Sequence, residues 1–513
     1  MANDAITPRA KARYEQLKAG RNTILERGRK NSDLTIPGLI PADGQNSDTS
    51  FSQPYQSLGA RCVNNLAAWM LVTQFPPDSP FARISVHEDT AQELGNKLSE
   101  VETALARISS KAHMRVETMS MRPIMMEIFR HLIVGGNALL HVPLEAVPPR
   151  MWRLDQYVVM RDERGRLLEA VIHEKVYPST LDEATRAAVG VEYDPADEKQ
   201  KLVDVYTHVK LEGEDLVDYQ EINEKLVPGS EGKAPRAEAG WMALRWQAVP
   251  GSDYGRAHVS EYIGDLMSLE DLSKAIIQFA AVASRITYMV DPNSMIDIDE
   301  LNAAETGEYV TGYVDKIKAL GLEKSQDFQV ASNVAERLEL RLSHAFMLQS
   351  GTVRNAERVT AEEIRAMAQE LENVLGGVYT VMSAELQLPL IKRLLYALAR
   401  ENEAPDLPDN VQPVIVTGFE ALGRNHAANK LRMWLSDMAD TYGPRMIGQI
   451  TDSTEVGRRL ASNYGLEDFD SLIKSQDQLA EENEAAQAQA ATQAAVPAIA
   501  KAGADAITQE TQG

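Results

Sequence analysis

Apolar side chains recur every three or four residues along the middle of the chain, and this spacing predicts long helices. The longest uninterrupted pattern covers residues 257–290, and a second one covers residues 330–348. Acidic residues occupy the opposite side of the first helix: Glu261, Asp265, Glu270 and Asp271. At the α-helical rise per residue, the first helix would be roughly 50 Å long. Two helices of this kind, each with one apolar stripe, are expected to pack side by side in a bundle or a ring.

A third helical pattern covers residues 357–390 and follows a polar loop at residues 349–359. Thr360 and Glu363 have the spacing of a capping box, which predicts the helix start. Gly376-Gly377 predicts a kink in the middle, and Pro389 removes a backbone hydrogen bond near the end. The pattern therefore predicts a kinked, half-buried helix.

The rest of the pattern predicts an α+β protein that is predominantly helical. Further helices are predicted over residues 57–75, 90–108 and 122–135. Between about residues 138 and 248 the apolar period changes toward two, which predicts strands. The predicted strands are Phe81–Val86, Val158-Val159, Leu167–Val176, Val203–Leu211, Leu216–Ile222 and Gln412–Thr417, with turns at Arg164-Gly165 and Glu212-Gly213.

Residues 7–30 form a basic segment with the apolar spacing of a helix. One interpretation is an arm that binds an acidic partner. The simpler interpretation, which we favour, is the solvated face of an N-terminal helix.

The charge balance of the chain limits the partners it can bind tightly. Its 513 residues carry a net charge of −23, and the sequence pI is about 4.9. This balance argues against tight nonspecific binding to nucleic acid, because such binding needs many Lys and Arg contacts with phosphates. It is compatible with a passage through which DNA slides, because an acidic wall repels phosphates. The alternative is that the charge serves solubility alone.

The sequence predicts neither a membrane span nor a signal peptide. Every apolar run is shorter than the ~18 residues that a spanning helix needs, and the N-terminal residues lack an apolar core. Cys62 is the only cysteine, which excludes an intrachain disulfide and a Cys-rich zinc site. We expect a protein that is made inside the cell.

Motifs for catalysis and cofactor binding are incomplete. The GSEGK segment at 229–233 lacks two elements of a P-loop, and Gly135-Gly136 lacks the third glycine of a dinucleotide-binding fingerprint. The segment that begins at Asp291 lacks the glycine and glutamate of a calcium loop. The sequence therefore predicts no catalytic residue, no metal and no cofactor.

Many short segments, in order along the chain, resemble portal proteins, the head-to-tail connectors of short-tailed bacteriophages (podoviruses of the autographivirus-like kind). These segments are TIP at 35–37, GAR at 59–61, NNLA at 64–67, GNALL at 136–140, VVMRD at 158–162, DVYTH at 204–208, YGR at 254–256, EYIGDLMSLEDL at 261–272, RLSHAFML at 341–348, ERVTAEEIR at 357–365, LGGVY at 375–379, ELQLPL at 385–390 and TGFEALGR at 417–424. The likeness covers most of residues 10–425 and fades beyond about residue 430.

The resemblance implies the portal-protein fold, which has a wing, a stem, a clip and a crown and assembles into a ring. The implied divisions are a wing at 1–256, a first stem helix at 257–290, a clip at 291–328, a second stem helix at 329–348, a tunnel loop at 349–359, a returning part of the wing at 360–425, a crown at 426–480 and an Ala/Gln-rich flexible tail at 481–513.

The resemblance also implies a function and a set of partners. A ring, typically of twelve copies, would stand at one capsid vertex of the virion and pass double-stranded DNA during packaging and ejection. The implied partners are the terminase large subunit, the major capsid and scaffolding proteins, the tail adaptor and tail tube proteins, and internal head core proteins. Assembly would take place in the host cytoplasm without a membrane partner. The chain would not be an enzyme, because a separate ATPase would drive packaging.

Basic and polar residues near the implied channel are the candidate DNA contacts. They are Arg354, Asn355 and Arg358 in the tunnel loop and Arg341 in the second stem helix. The planar guanidinium fork of arginine suits phosphate oxygens. The alternative for Arg358 is an ion pair with Glu362, one helical turn further on.

The clip carries three lysines that are candidates for contact with the motor, the tail or DNA. They are Lys316, Lys318 and Lys324. A solvated surface is the simpler interpretation of these residues.

Two other classes of function stay open at this point. One is a non-enzymatic helical adaptor or scaffold of a virus particle, and a lack of DNA in its central opening, or no opening at all, would favour it. The other is an intracellular hydrolase with an unrecognised site. Turnover that is lost on substitution of a single carboxylate would favour the hydrolase.

Overall fold

The computed structural model describes most of the chain up to residue 401 and shorter pieces beyond it. The described residues are 9–45, 48–76, 81–86, 98–195, 200–236, 238–283, 288–290, 299, 303, 317–319, 325–348, 369–370, 373, 375, 377–401, 413–416, 424–443, 450–451, 456–457 and 460. The chain divides into two compact units, one with Met1–Asp78 and Arg115–Arg400 and the other with Ser79–Met114 and Glu401–Gly513.

Helices and strands are both present in the described part, as the α+β prediction requires. The helices are α1 (Ala10–Asp33), α2 (Leu58–Gln74), α3 (Leu98–Thr118), α4 (Met121–Gly135), α5 (Glu183–Val189), α6 (Val259–Ala283), α7 (Ser325–Ala345), α8 (Val378–Met382), α9 (Leu388–Arg400) and α10 (Arg424–Tyr442), with a 3-10 turn at Pro178–Thr180 and a π-helical turn at Ser383–Gln387. The strands are β1 (Arg83–Val86), β2 (Asn137–His141), β3 (Arg150–Trp152), β4 (Tyr157–Arg161), β5 (Leu167–Val176), β6 (Val203–Glu212), β7 (Asp215–Ile222), β8 (Lys225–Leu226), β9 (Gly232–Pro235), β10 (Trp241–Arg245), β11 (Tyr288–Val290), β12 (Ile317–Ala319) and β13 (Pro413–Val416).

The largest sheet is an antiparallel meander in the first unit. Its strand order is β4-β5-β6-β7-β8, and β9 also pairs with β7. The period-two prediction for this region is confirmed within one or two residues for β5, β6 and β7. Both predicted turns are confirmed as well, because Gly165 and Gly213 have φ values of 77° and 67°, which glycine adopts without strain.

Helix α1 lies on one face of this sheet. Tyr14 packs there with Val158, Val171 and two tyrosines in one buried cluster. The basic side chains of α1 are partly turned inward. Arg21 is 2% exposed, and its Nη1 donates to the carbonyl oxygens of Asp155 and Tyr157 at 2.8 and 2.9 Å. Arg21 therefore departs from the predicted solvated face because it satisfies backbone acceptors under the helix, whereas Lys11, Arg27 and Lys30 are exposed, as that prediction requires.

A smaller sheet, with the order β10-β2-β3, follows α4 and was not predicted from the sequence. Strand β2 is buried on both faces along almost its whole length. Its apolar and polar residues therefore do not alternate, and the sequence pattern did not indicate a strand. Strand β3 has only three residues. Core helices α2 and α4 agree with their predictions, and Leu66, Met70, Ile128 and Leu132 are 0% exposed.

Three helices have boundaries that differ from the sequence prediction. Helix α3 covers Leu98–Thr118 rather than residues 90–108. The first long helix ends at Ala283 rather than residue 290, and residues 288–290 pair instead as strand β11 with β12. Tyr288 and Val290 favour a strand, and the pairing partner lies 27 residues further on, at Ile317–Ala319. Helix α7 begins at Ser325, ahead of the predicted start.

The predicted helix over residues 357–390 is corrected at its end. Thr360 and Glu363 lie outside the described residues. Gly377 has a φ of 97°, and α8 begins directly after it, so the kink is a helix boundary. The helical path then continues through Pro389 to Arg400. A π-helical turn precedes Pro389 and accommodates the missing N–H, which lets the chain stay helical.

The second unit contains an antiparallel pair of β1 and β13, with Arg83 opposite Val416. This pairing bears out the strands predicted near residues 81–86 and 412–417. Helix α10 covers Arg424–Tyr442.

Candidate functional site

Helices α6 and α7, the predicted stem helices, form an antiparallel pair. The rings of Phe279, late in α6, and Phe328, early in α7, stack with centroids 5.1 Å apart. At the opposite end, Arg341 Nη2 lies 2.7 Å from Asp265 Oδ1. Leu269 and Leu342 are 0% exposed in the first unit. The apolar stripes that the sequence predicted are therefore buried where α6 and α7 pack against the rest of the first unit.

The end of α7 is fixed by polar contacts with buried partners. Asn65 Nδ2 donates to the carbonyl oxygens of Phe346 and Met347 at 3.2 and 3.0 Å. His258 Nε2 donates to the Ala345 carbonyl oxygen at 3.1 Å. Burial lowers the pKa of His258 to about 4, so its ring is neutral at pH 7. These contacts hold the last turn of α7, directly before the predicted tunnel loop.

The start of α6 is fixed in a similar way. Gly255 N–H donates to Asn137 Oδ1 at 2.7 Å, and Asn137 Nδ2 donates to the Gly255 carbonyl oxygen at 3.1 Å. Asn31 Nδ2 donates to Ser260 Oγ at 2.8 Å in the first turn of α6. Side-chain amides from β2 and α1 thus help to set where α6 begins.

A buried ion pair connects β10 to the π-helical turn. Arg245 Nε donates to Glu385 Oε1 at 3.0 Å, and the Arg245 backbone N–H donates to Glu385 Oε2 at 3.1 Å. The Arg245 side chain is 8% exposed. From the same turn, Gln387 Nε2 donates to the Gln74 carbonyl oxygen at 2.8 Å, which satisfies an acceptor at the end of α2.

Segments that carry the family resemblance contact one another at this site. NNLA meets RLSHAFML through Asn65 and Phe346, and GNALL meets YGR through Asn137 and Gly255. Sequence reasoning missed all of these pairings. Asn65 and Asn137 gave only a weak signal, because a polar residue in an apolar run needs a hydrogen-bond partner without indicating which residue that partner is.

Most of the predicted site residues fall outside the described residues. This is the case for Arg354, Asn355, Arg358, Lys316 and Lys324. Lys318 lies in β12, where it is opposite Met289 in the register. Arg341 is exposed on α7 and pairs with Asp265.

The acidic face of α6 is partly occupied by contacts within the chain. Asp265 pairs with Arg341, and Glu270 accepts hydrogen bonds from the backbone N–H groups of Tyr55 and Gln56 at 2.9 and 3.2 Å. Glu261 and Asp271 are exposed. Only part of the predicted acidic face is therefore open to another molecule.

Apolar side chains on the outer faces of α6 and α7 are exposed in the single chain. They are Met267 (38% exposed), Ile277 (48%), Val330 (62%), Val334 (41%) and Leu340 (50%). Such a set on two neighbouring helices is typical of a surface that packs against another protein. Within the described ranges, no group of three or more His, Cys, Asp or Glu residues is placed to hold a metal ion. A search of the same ranges found no helix with the length and apolar character of a membrane span.

Comparison with known proteins gives a consistent family assignment. The sequence profile described as "Bacteriophage head to tail connecting protein" matches residues 7–468. The portal protein of Enterobacteria phage T3 is 36% identical over 96% of this chain and 92% of its own length. The portal protein of Escherichia phage T7 is 38% identical over 82% of this chain and 80% of its own. The portal protein of Pseudomonas phage phiKMV is 30% identical over 93% and 95%.

Among solved structures, a chain from the neck of an empty gene transfer agent particle aligns with 74% of this chain and 86% of its own length. That alignment has 10% identity and a TM-score of 0.36, which is too loose to support an argument. The profile match covers most of the chain, and the three portal proteins are related to it at 30–38% identity. The chain therefore belongs to the bacteriophage head to tail connecting protein family.

Proposed function

We propose that this chain is a portal protein whose copies form a ring that conducts double-stranded DNA. Its membership of the connecting-protein family makes it a structural component of the virion, at the vertex where the head meets the tail. The observation that carries the proposal is the likeness to a portal protein over 96% of the chain.

The outer faces of α6 and α7 support assembly into a ring. Five large apolar side chains are exposed there in the single chain, and association removes such surface from water. Contacts between two different surfaces of neighbouring copies close into a ring when the rotation between copies is suitable. We propose a ring of about twelve copies, in which these faces pack against adjacent copies.

The charge of the chain suits a conduit better than a DNA clamp. A net charge of −23 per copy disfavours tight binding to phosphates. We propose that Arg354, Asn355 and Arg358 approach the DNA in the tunnel loop, and that Arg341 lies next to them at the end of α7. Lys316, Lys318 and Lys324 would serve the clip, where the packaging motor and later the tail dock.

The partners proposed for this ring are the terminase large subunit, the major capsid and scaffolding proteins, the tail adaptor and tail tube proteins, and the internal head core proteins. None of these roles requires turnover by the chain itself, since a separate ATPase would supply the energy for packaging.

A complementation experiment tests the proposal. A phage that lacks this gene is grown in cells that supply the intact chain, the Arg354→Ala variant or the Arg164→Ala variant, and the DNA content of purified heads is measured. We expect filled heads with the intact chain and with Arg164→Ala, which removes an exposed turn cation. Arg354→Ala should reduce retained DNA. Normal filling without any supplied chain would contradict the portal function, and normal filling with Arg354→Ala would remove the role of Arg354.

A further inference from the structure

A basic cleft of about 580 Å³ lies where α1 meets the segment that leads into α6. We define the basic cleft by the three cations that line it: Arg27, Lys30 and Arg256. Glu261 is the single acid among the lining residues, so the cleft carries an excess of positive charge in a strongly acidic chain.

The three cations have no acidic partner within the described part of the chain. Arg27, Lys30 and Arg256 are all exposed, and no ion pair or side-chain hydrogen bond joins them to another described residue. Elsewhere in the first unit, cations such as Arg13, Arg29 and Arg245 pair with carboxylates at 2.5–2.7 Å. Three cations against one lining carboxylate leave the cleft with a net positive charge, so this arrangement favours an anionic occupant.

The other lining residues indicate what kind of anion fits. Ile24, Val249 and Ile263 give the cleft a partly apolar wall, and Asn31 and Ser260 give it polar groups. Aliphatic walls do not suit the phosphates of a duplex, which need an extended basic surface. They suit a protein surface that presents carboxylates beside small apolar side chains.

We propose that the basic cleft receives an acidic surface of the adjacent copy of this chain in the ring. This inference rests on the proposed ring function and adds a specific contact to it. Copies that each carry a net charge of −23 repel one another, and a contact between opposite charges offsets part of that repulsion. A contact between unlike surfaces allows a basic cleft on one copy to face an acidic patch on the next.

Site-specific photo-cross-linking tests which molecule occupies the cleft. Val249 is replaced by p-benzoylphenylalanine, rings are purified and irradiated with and without duplex DNA, and the products are mapped by mass spectrometry. We expect a covalent dimer joined through a peptide rich in Asp or Glu. Intact rings without a dimer, or with products to DNA alone, would overturn the inference and leave the proposed function standing. An unsubstituted chain that forms no rings would overturn both.

Charge reversal gives a second, independent test. The Arg27→Glu/Arg256→Glu variant is compared with Arg164→Glu/Lys201→Glu, which makes the same charge change at exposed cations away from the cleft. Loss of two exposed ion pairs weakens a contact about tenfold. We expect fewer rings for the cleft variant at low salt, and near-normal rings for the control. Equal ring formation by the two variants would overturn the inference.

Discussion

Asn137 and Gly255 are joined by two hydrogen bonds that tie the start of β2 to the chain entering α6. Gly255 N–H donates to Asn137 Oδ1 at 2.7 Å, and Asn137 Nδ2 donates to the Gly255 carbonyl oxygen at 3.1 Å. Asn137 is only 2% exposed. This one side chain satisfies both backbone groups of Gly255, which water cannot reach, and so helps to set the start of α6.

Replacing this amide should destabilise the protein. Asn137→Ala leaves the N–H and carbonyl groups of Gly255 buried without partners, which costs about 2–3 kcal/mol in the free energy of unfolding. The measurement is denaturant unfolding of the two proteins at equal concentration. Asn22→Ala, at an exposed position of α1, is the control and should change stability by less than about 0.5 kcal/mol. Equal stability of the two variants would contradict the role given to Asn137.

Gly136 makes a separate, steric contribution at the same junction. It has a φ of 76°, and a Cβ atom there would lie 2.7 Å from the Ala257 backbone nitrogen. Gly213 has a similar φ of 67° with open space around it, so it serves as a matched control. We expect Gly213→Ala to lower the free energy of unfolding by about 1 kcal/mol, because alanine disfavours the left-handed backbone. Gly136→Ala should lower it by at least about 2 kcal/mol more, because its Cβ would also clash with neighbouring backbone atoms. Thermal unfolding of both variants gives the comparison. Similar melting temperatures would contradict the steric contact between a side chain at position 136 and the Ala257 backbone.

The long helices α6 and α7 could be predicted from the sequence, while the contacts that place them could not. An apolar stripe with a period near 3.6 is a local property, so the pattern located α6 and α7 within a few residues at most ends. Asn137 and Gly255 are 118 residues apart. Neither segment indicates its partner in the sequence, because a buried amide needs a hydrogen-bond partner but does not specify which residue supplies it. The same limit hid the pairing of β11 with β12, so α6 is shorter than predicted.

The carboxylate of Glu169 predicts a pH dependence of stability. Burial alone would raise its pKa, but hydrogen bonds from His208 Nε2 (2.7 Å to Oε1) and Arg13 outweigh burial and lower the pKa of Glu169 to about 2. The ordinary value is 4.5. A carboxylate with a lowered pKa adds stability that is complete above pH 4.5 and lost as the pH falls toward 2.

Glu169→Gln isolates this contribution. The variant should be less stable than the unsubstituted protein by about 3 kcal/mol near pH 7. The difference should shrink as the pH falls through the window from 4.5 to 2. Unfolding measured at several pH values tests this, with Glu163→Gln in an exposed turn as the control. A difference that stays constant with pH would show that the Glu169 charge is not the cause.

Variants of Arg341 and of its partner Asp265 can distinguish a structural role of Arg341 from contact with DNA. Their ion pair spans 2.7 Å, but the Arg341 side chain is 62% exposed, so the pair should contribute less than about 1 kcal/mol to stability. We expect Arg341→Ala and Asp265→Asn to unfold like the unsubstituted protein. If Arg341 faces DNA, only Arg341→Ala should reduce the DNA retained in heads. Equal loss of DNA in both variants would instead assign the effect to the ion pair.

The tunnel-loop candidates show a second limit of sequence reasoning. Arg354 and Arg358 stand out as cations in a polar loop, and their identity is all that the sequence supplies. Whether a side chain faces a channel depends on the neighbouring copies, which a single chain does not contain. The environment of Val330 and Leu340 on α7 also depends on neighbouring copies, because both side chains are exposed within the described part of one copy.

Ring assembly is the central claim, and the mass of the purified protein tests it most directly. Native mass spectrometry is combined with class-averaged electron micrographs of the same sample. Twelve copies of 56.6 kDa correspond to about 679 kDa, and we expect a ring near that mass with a central opening at least as wide as a DNA duplex. A monomer or dimer that persists across salt and protein concentrations, or a closed particle without an opening, would contradict the account.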